Sequence, residues 1–265
     1  MKMKEKNQLL KFVQKCCNTL TDGDSEESRK AIEYLSQTRG IPKDDFGRFL
    51  LGYCPKLSIL PPEVRQFGNE LLEDNAQRDL TRCIVSRIVL PICDEFGECV
   101  GLATRPPESG PDCTWWNLPA PFYKGHYLYL LDKARKAAFT NNKIYIVEGY
   151  MDAITLYLHG LHNVVAVMST KLSHRQCALM ARYCANVCVC FDVDANESGQ
   201  KGTDRAVAIL HRVGVFKLIS VIDGLPVKED PDSYVKKNGL ESFLNLEKHL
   251  TGNQLIAACR RSDEQ

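Results

Sequence analysis

Residues 143–152 read Lys-Ile-Tyr-Ile-Val-Glu-Gly-Tyr-Met-Asp, and residues 187–194 read Val-Cys-Val-Cys-Phe-Asp-Val-Asp. Each is a short apolar run rich in strand-forming residues that ends abruptly on acids. Between and around them the pattern alternates. Lys143 to Val147, Val164 to Met168, Val187 to Phe191 and Phe216 to Ile222 read as strands, while Tyr150 to His159, Ser173 to Cys184 and Thr203 to Val213 carry helical spacing. Strands separated by single helices imply crossovers and a parallel sheet covered by helices, an α/β fold.

In such sheets ligands bind beyond the carboxyl ends of the strands, where loops from several strands converge. Acids stand at those ends here: Glu148 and Asp152 after the first strand, Asp192 and Asp194 after the third, Asp230 and Asp232 after the fourth. Residues two apart in extended backbone project to one side, and Pro231 restricts Asp230 to an extended conformation. A single Asp-x-Asp is common on surfaces, and helix N-termini favour Asp electrostatically, which would account for Asp152 and Asp232 without a site. Acidic sets at three of the four strand ends exceed that explanation. Crowded carboxylates repel one another, and the arrangement makes chemical sense around Mg²⁺ or Mn²⁺, which take hard oxygen ligands.

Working outward, residues 1–80 read as a helical lead-in. Apolar spacing predicts helices around Leu9–Val13 and Ala31–Leu35, broken at Asp22-Gly23-Asp24-Ser25, then a short helix from Asp44 to Leu51 and another after Pro61-Pro62. Residues 81–139 read as a smaller mixed α+β part: a hairpin from Ile84 to Ala103 turning at Asp94–Gly97, a Pro-, Gly- and aromatic-rich loop from Arg105 to Gly125, and a helix from Leu131 to Phe139. The parallel-sheet domain follows over 140–240, with a short helical tail over 241–265.

Thirty-four basic and 33 acidic residues leave net charge uninformative about partners, so any binding must come from local charge separation. No run approaches the roughly 18 apolar residues of a membrane span, and the N-terminus lacks a signal-peptide core, which points to the cytoplasm and no membrane. The 12 cysteines sit mostly inside apolar strings and read as small buried hydrophobes. With no Cys-x-x-Cys pair, no structural zinc is expected.

Val147-Glu148-Gly149-Tyr150-Met151-Asp152-Ala153 resembles the glutamate motif of the Toprim fold, in wording specifically similar to DnaG-type bacterial DNA primases. Phe191-Asp192-Val193-Asp194 with Gly199-Gln200-Lys201 resembles the family's Asp-x-Asp motif, and Glu229-Asp230-Pro231-Asp232 its third acidic motif. Upstream, Arg87–Ile92 and Val100–Arg105 are similar to the strand pair that opens the primase core. Trp115-Trp116-Asn117-Leu118-Pro119 and Phe122–Gly125 are similar to its nucleotide- and template-contacting segment. The resemblance spans about residues 28–245.

It implies a primase catalytic core, in a phage or mobile-element version without the zinc-binding and helicase-binding domains, that synthesises RNA primers on single-stranded DNA from ribonucleoside triphosphates. Two or more Mg²⁺ or Mn²⁺ ions would be held by Asp192, Asp194, Asp230 and Asp232 with Asp152 in support, and Glu148 would ligate metal or accept the attacking hydroxyl's proton. Lys124, Arg105, Arg87 and Asn117 are the candidates for triphosphate or template contact; Arg87 flanking a core strand and Lys124 standing solvated are the structural alternatives. A replicative helicase or a separate zinc-binding subunit is the implied protein partner. Val193 where the family has Gly, Asn196-Glu197 as an insertion, Ser169 where Gly is typical and Thr114 where a basic residue is expected are departures. The competing readings are a metal-dependent Toprim nuclease using the same carboxylates and an inactive primase-like nucleic-acid-binding subunit.

Overall fold

A five-stranded sheet organises the C-terminal half. In the computed structural model, which describes residues 3–61, 83–110, 113–118, 123–192, 198–227 and 229–264, its strands are β5 (Lys143–Val147), β6 (Val164–Ala166), β7 (Asn186–Val189), β8 (Leu218–Ile222) and β9 (Glu247–His249). They lie in the order β6-β5-β7-β8-β9. The first four are mutually parallel, and β9 closes the edge antiparallel to β8. Ile144, Ile146, Val187, Val189 and Ile219 point to one face and share a buried core with Ala134, Ala138, Cys177, Val207, Leu210 and Ala258. Each fully buried Val, Leu or Ile in such a core contributes roughly 1.5–3 kcal/mol.

The helices that supply this core are α4 (Leu131–Asn141), α6 (His174–Met180), α7 (Ser198–Val213) and α9 (Gly252–Asp263), while α5 (Tyr150–Leu158) packs against α8 (Pro231–Leu244). The chain leaves β5 for β6 on one side, then crosses to β7 on the other side of β5. Strand order therefore reverses between β5 and β7, the switch point at which α/β sheets open a crevice at their carboxyl ends.

Residues 1–93 and 98–122 form one compact unit, and 94–97 with 123–265 form the other. In the first, α1 (Met3–Asp22) packs on the antiparallel sheet β1 (Gly52–Cys54), β2 (Arg87–Cys93), β3 (Cys99–Arg105) and β4 (Trp116–Leu118). Phe12, Val13, Cys16, Ile84, Val89 and Leu102 are buried together there. Helix α2 (Glu26–Glu33) starts at Ser25, whose hydroxyl caps Ser28 N, and runs into a π turn over Tyr34–Thr38; α3 (Phe46–Phe49) is one short turn. The expected helix after Pro61-Pro62 lies outside the described residues.

Three expectations are corrected. The lead-in is not separate from the mixed part, because α1 buries its apolar face on strands β1 and β3. The division falls near residue 122 and not 139, since Ala134 and Ala138 belong to the core of the parallel sheet. Residues 241–265 are no mere helical tail. Their strand β9 was illegible because Glu247-Lys248-His249 is three polar residues long, at an edge where one face meets water. Strands β1 and β4 escaped for a similar reason of length. As expected, most cysteines are buried and all 12 are free. Among the described residues no helix is long and apolar enough to cross a membrane.

Candidate active site

Glu148 follows the last residue of β5 and opens the turn into α5. Gly149 is the N-cap of that helix, and Asp152, three residues on, folds back so that its Oδ2 accepts the Gly149 amide at 3.2 Å. A Cβ on residue 149 would lie 2.7 Å from that oxygen, so the motif needs glycine here. The other carboxylate oxygen of Asp152 accepts the backbone amide of Asp232 at 3.2 Å. Asp152 thus joins the first turns of α5 and α8. Burial pushes its carboxyl well above the usual carboxylate range, and Asp192, Asp230 and Asp232 push further, in that order; the Asp232 amide works against them.

Helix α8 is built the same way. Asp230 is its N-cap, accepting Ser233 N at 2.7 Å, while Asp230 N donates to Ser233 Oγ at 3.2 Å, and Pro231 takes the first helical position. Asp232 is buried in the first turn; its Oδ1 accepts the Thr155 hydroxyl at 2.6 Å and pairs with Lys236 at 2.5 Å. Asp152 and Asp232 are therefore buried and committed to donors, whereas Glu148, Asp192 and Asp230 are half-buried. The charges of Asp192, Asp230 and Asp232 all reach Asp152.

Asp192 lies three residues beyond the end of β7, next to buried Phe191. The first turn of α7 completes this wall. A Cβ on Gly202 would stand 3.6 Å from the Phe191 ring, 3.8 Å from Glu148 Oε1 and 3.8 Å from the Thr170 carbonyl. The close approach of helix, acid and loop defines the crevice at the β5–β7 switch point. Asp194 lies outside the described residues.

The β6–α6 loop borders the same crevice. It starts at Met168, whose φ of 62° is left-handed, a conformation that costs a side-chain-bearing residue energy and clusters at functional sites. At its far end Ser173 caps α6, and Gln176, fully buried, reaches the carbonyls of Tyr127 at 2.8 Å and Val167 at 3.1 Å through Nε2. Ser173 Oγ donates to Gly125 O at 2.5 Å, which pins the turn carrying Lys124 to this loop. Burial lowers the Lys124 ammonium from its usual range. Ser173 and Gln176 were not singled out as site residues, although the Ser-x-x-Gln spacing is a capping-box signal.

Arg87, Arg105 and Asn117 belong to the first unit. Arg87 is buried, donates to the carbonyls of Thr104 and Thr114 at 3.3 and 3.1 Å, and stacks its guanidinium 4.5 Å from the centroid of Trp116. Arg105 is buried too. It donates to Glu108 O at 3.1 Å and lies between Tyr34 and Trp115, 5.1 and 5.5 Å from their centroids. Burial lowers both guanidinium groups below their ordinary value. These two cations tie Thr114 and Glu108 to β2 and β3. Asn117 is half-buried on β4 opposite Ala103. The roles of Tyr34 and Trp116 as stacking partners are contacts between distant segments that no spacing signals.

The crevice residues suit a hard divalent cation in kind and charge: the candidate donors are carboxylate oxygens, and burial together with the neighbouring acids raises the Asp152 carboxyl, a repulsion such a cation would relieve. Among the described residues no three His, Cys, Asp or Glu side chains already converge on one point as a ligand shell. Asp152 and Asp232 are turned toward amide, hydroxyl and ammonium donors instead.

Comparison with known proteins gives two family matches: the model described as DNA primase catalytic core, N-terminal domain, over residues 20–135, and the Toprim-like model over 145–235. A DNA primase of Clostridium acetobutylicum is 36% identical over 211 residues, covering 78% of this chain and 33% of that protein. One of Enterococcus faecalis is 32% identical over 240 residues, covering 83% and 37%. The chain thus spans about a third of the length of these curated relatives. Among solved structures, the Escherichia coli primase catalytic core aligns with a TM-score of 0.71 at 26% identity, covering 90% of this chain and 79% of that one. The Aquifex aeolicus primase, solved with its zinc-binding and RNA polymerase domains, gives 0.69 at 27%, covering 96% and 65%. A DnaG primase catalytic domain bound to single-stranded DNA gives 0.68 at 25%, covering 91% and 81%.

Proposed function

Since the chain belongs to the DnaG-type DNA primase family, whose catalytic core it matches, we propose that it synthesises RNA primers on single-stranded DNA by metal-dependent nucleotidyl transfer. The observation that carries this is the set of acids at the β5–β7 switch point, Glu148 and Asp192 flanking the crevice with Asp230, Asp232 and Asp152 behind. In the reaction the 3′-hydroxyl oxygen of the growing primer forms a bond to the α-phosphorus of an incoming ribonucleoside triphosphate. The bond from that phosphorus to the bridging oxygen breaks, and pyrophosphate leaves.

Mg²⁺ or Mn²⁺, held by Asp192, Asp194 and Asp230, would supply positive charge to the attacking and leaving oxygens. Glu148 joins that set or takes the hydroxyl proton; it is half-buried, beside Gly202 at the crevice. Asp152 and Asp232 act through the backbone. They lock the first turns of α5 and α8 together and so fix where Glu148 and Asp230 stand. Lys124 offers a cation to the triphosphate, and Asn117 on β4 a polar contact to template or nucleotide, next to the segment held by Arg87 through Thr114. A replicative helicase or a zinc-binding subunit is the partner this activity calls for, and the cytoplasm its compartment.

The test incubates the protein with single-stranded DNA, labelled ribonucleotides and Mg²⁺ or Mn²⁺, beside a variant with Asp192 and Asp194 both changed to Asn. Short metal-dependent oligoribonucleotides from the native protein alone are expected. Digestion of the DNA without nucleotides would instead assign the acids to a nuclease, and neither product, even on an annealed primer, would leave a binding subunit.

A further inference from the structure

Helix α7 follows the Asp192 loop and brings Gly202 against Glu148, so whatever holds α7 holds one wall of the crevice. Asp204, two residues after Gly202, is buried at 3% exposure, and both its oxygens are engaged by one side chain. Arg261 of α9 donates Nε to Oδ2 and Nη2 to Oδ1, each at 2.7 Å, a bidentate ion pair across 57 residues of sequence. Such pairs fix orientation as well as distance, because the planar fork fits a carboxylate in one geometry.

Behind the site lies a cavity of about 490 Å³, lined by Phe191, Asp192, Thr203, Leu225, Gln254 and Arg261 among others. Open space rather than packed side chains thus adjoins Asp192 on its α9 side. The bidentate pair spans the helices at that cavity. An α7 free to shift at it would change the close approach of Gly202 to Glu148 and Phe191.

From this geometry we infer that Arg261 is a positioning residue for the metal-binding carboxylates: acting through Asp204, it fixes the first turn of α7 and with it the separation of Glu148 from Asp192. Helix α9 is thereby part of the active-site support. This rests on the reading of Glu148 and Asp192 as divalent-cation ligands, and it concerns their preorganisation rather than the reaction they serve. A residue one step behind the ligands changes affinity by altering their placement.

An ion pair that merely glues α9 in place predicts something different, and a matched control exists. Lys143 and Glu247 also form an ion pair between distant segments, more shielded on its basic side than the half-exposed Arg261, but Lys143 opens β5 at the end opposite Glu148. The experiment measures Mn²⁺ binding to the full chain through the electron paramagnetic resonance signal of the free ion, alongside thermal unfolding, for the native protein, Arg261→Gln, Arg261→Lys and Lys143→Gln.

Arg261→Gln is expected to weaken Mn²⁺ binding by about tenfold, with Arg261→Lys recovering part of the loss. Lys143→Gln should lower the unfolding midpoint and leave the Mn²⁺ isotherm in place. The inference is overturned if Arg261→Gln behaves like Lys143→Gln, less stable with an unmoved isotherm, or if the native protein binds no Mn²⁺. Should Arg261→Gln not fold, Asp204→Asn and Arg261→Lys give the same comparison. A native protein that binds Mn²⁺ yet makes no primers, with the isotherm still shifted by Arg261→Gln, would sink the primase reading and support the latch.

Discussion

Charge is handled in opposite ways in the two units. In the first, Arg87 and Arg105 are buried but held within the fold: Arg87 Nη2 and the Arg105 guanidinium donate to backbone carbonyls and their flat faces meet Trp116, Tyr34 and Trp115, with Arg87 Nε left without a hydrogen-bond partner. In the second, Asp152 is buried among Asp192, Asp230 and Asp232, with Lys236 the cation paired to the set through Asp232. A guanidinium carries several donors and a stackable face, so a folded chain can complete its surroundings from within. Gathered carboxylates cannot complete one another. The first unit therefore uses these two cations to hold structure, and the second gathers acids whose charges raise the Asp152 carboxyl, a repulsion that a divalent cation would relieve.

The sharpest way to break this contrast is to remove one charge from each unit. Asp192→Asn should lower primer synthesis by roughly 10²–10⁴-fold while leaving the unfolding midpoint unchanged or raised, since it relieves repulsion on Asp152. A retained rate would end the assignment of Asp192. Arg105→Ala should do the reverse, costing about 2–4 kcal/mol in urea unfolding through lost stacking and two carbonyls left without their donor. If stability is unaffected and template affinity alone falls, Arg105 is a nucleic-acid contact and not a strut.

Acidity offers a gentler probe of the second unit. Because the folded carboxyl of Asp152 titrates above its unfolded range, the folded state holds a proton that the unfolded state has released. The stability this contributes is full below the unfolded carboxylate range and is lost as pH rises through the raised value. With metal chelated, stability should therefore fall as pH rises above that range, and Asp152→Asn or added Mg²⁺ should flatten the slope. A slope of the opposite sign would place the controlling group elsewhere. The smallest effect is reserved for Lys124→Gln, expected to raise the KM for nucleotides a few-fold, about 1 kcal/mol, with unfolding unchanged. Loss of kcat instead would bring its ammonium into the transition state.

Much of this architecture is legible along the chain. Strands β5 and β7 are apolar runs that stop on acids, and the helices between them follow from spacing, because a strand buried on both faces and an amphipathic helix each impose a local period. Glu148 and Asp192 are legible for the same reason, standing one and three residues beyond β5 and β7, while Asp152 and Asp230 are marked by the helix starts they sit in. Edge strands β1, β4 and β9 are not, being three residues long and stabilised by pairing rather than pattern. Nor is the membership of α4 in the second unit, which depends on what Ala134 and Ala138 touch.

By itself, then, the sequence determined the parallel α/β class, the acidic strand ends and the family resemblance, all properties of residues within one turn or one strand of each other. Tertiary structure alone decided which charges are spoken for. Asp152 meets Asp232 across 80 residues, Asp204 meets Arg261 across 57, and Arg87 meets Thr114 across 27. Hydrogen bonds and ion pairs act over a few ångströms of space and carry no trace of their span in sequence, so the division of the acids into the buried Asp152 and Asp232 and the half-buried Glu148, Asp192 and Asp230 arises only when β5 and β7 lie side by side and α8 packs against α5.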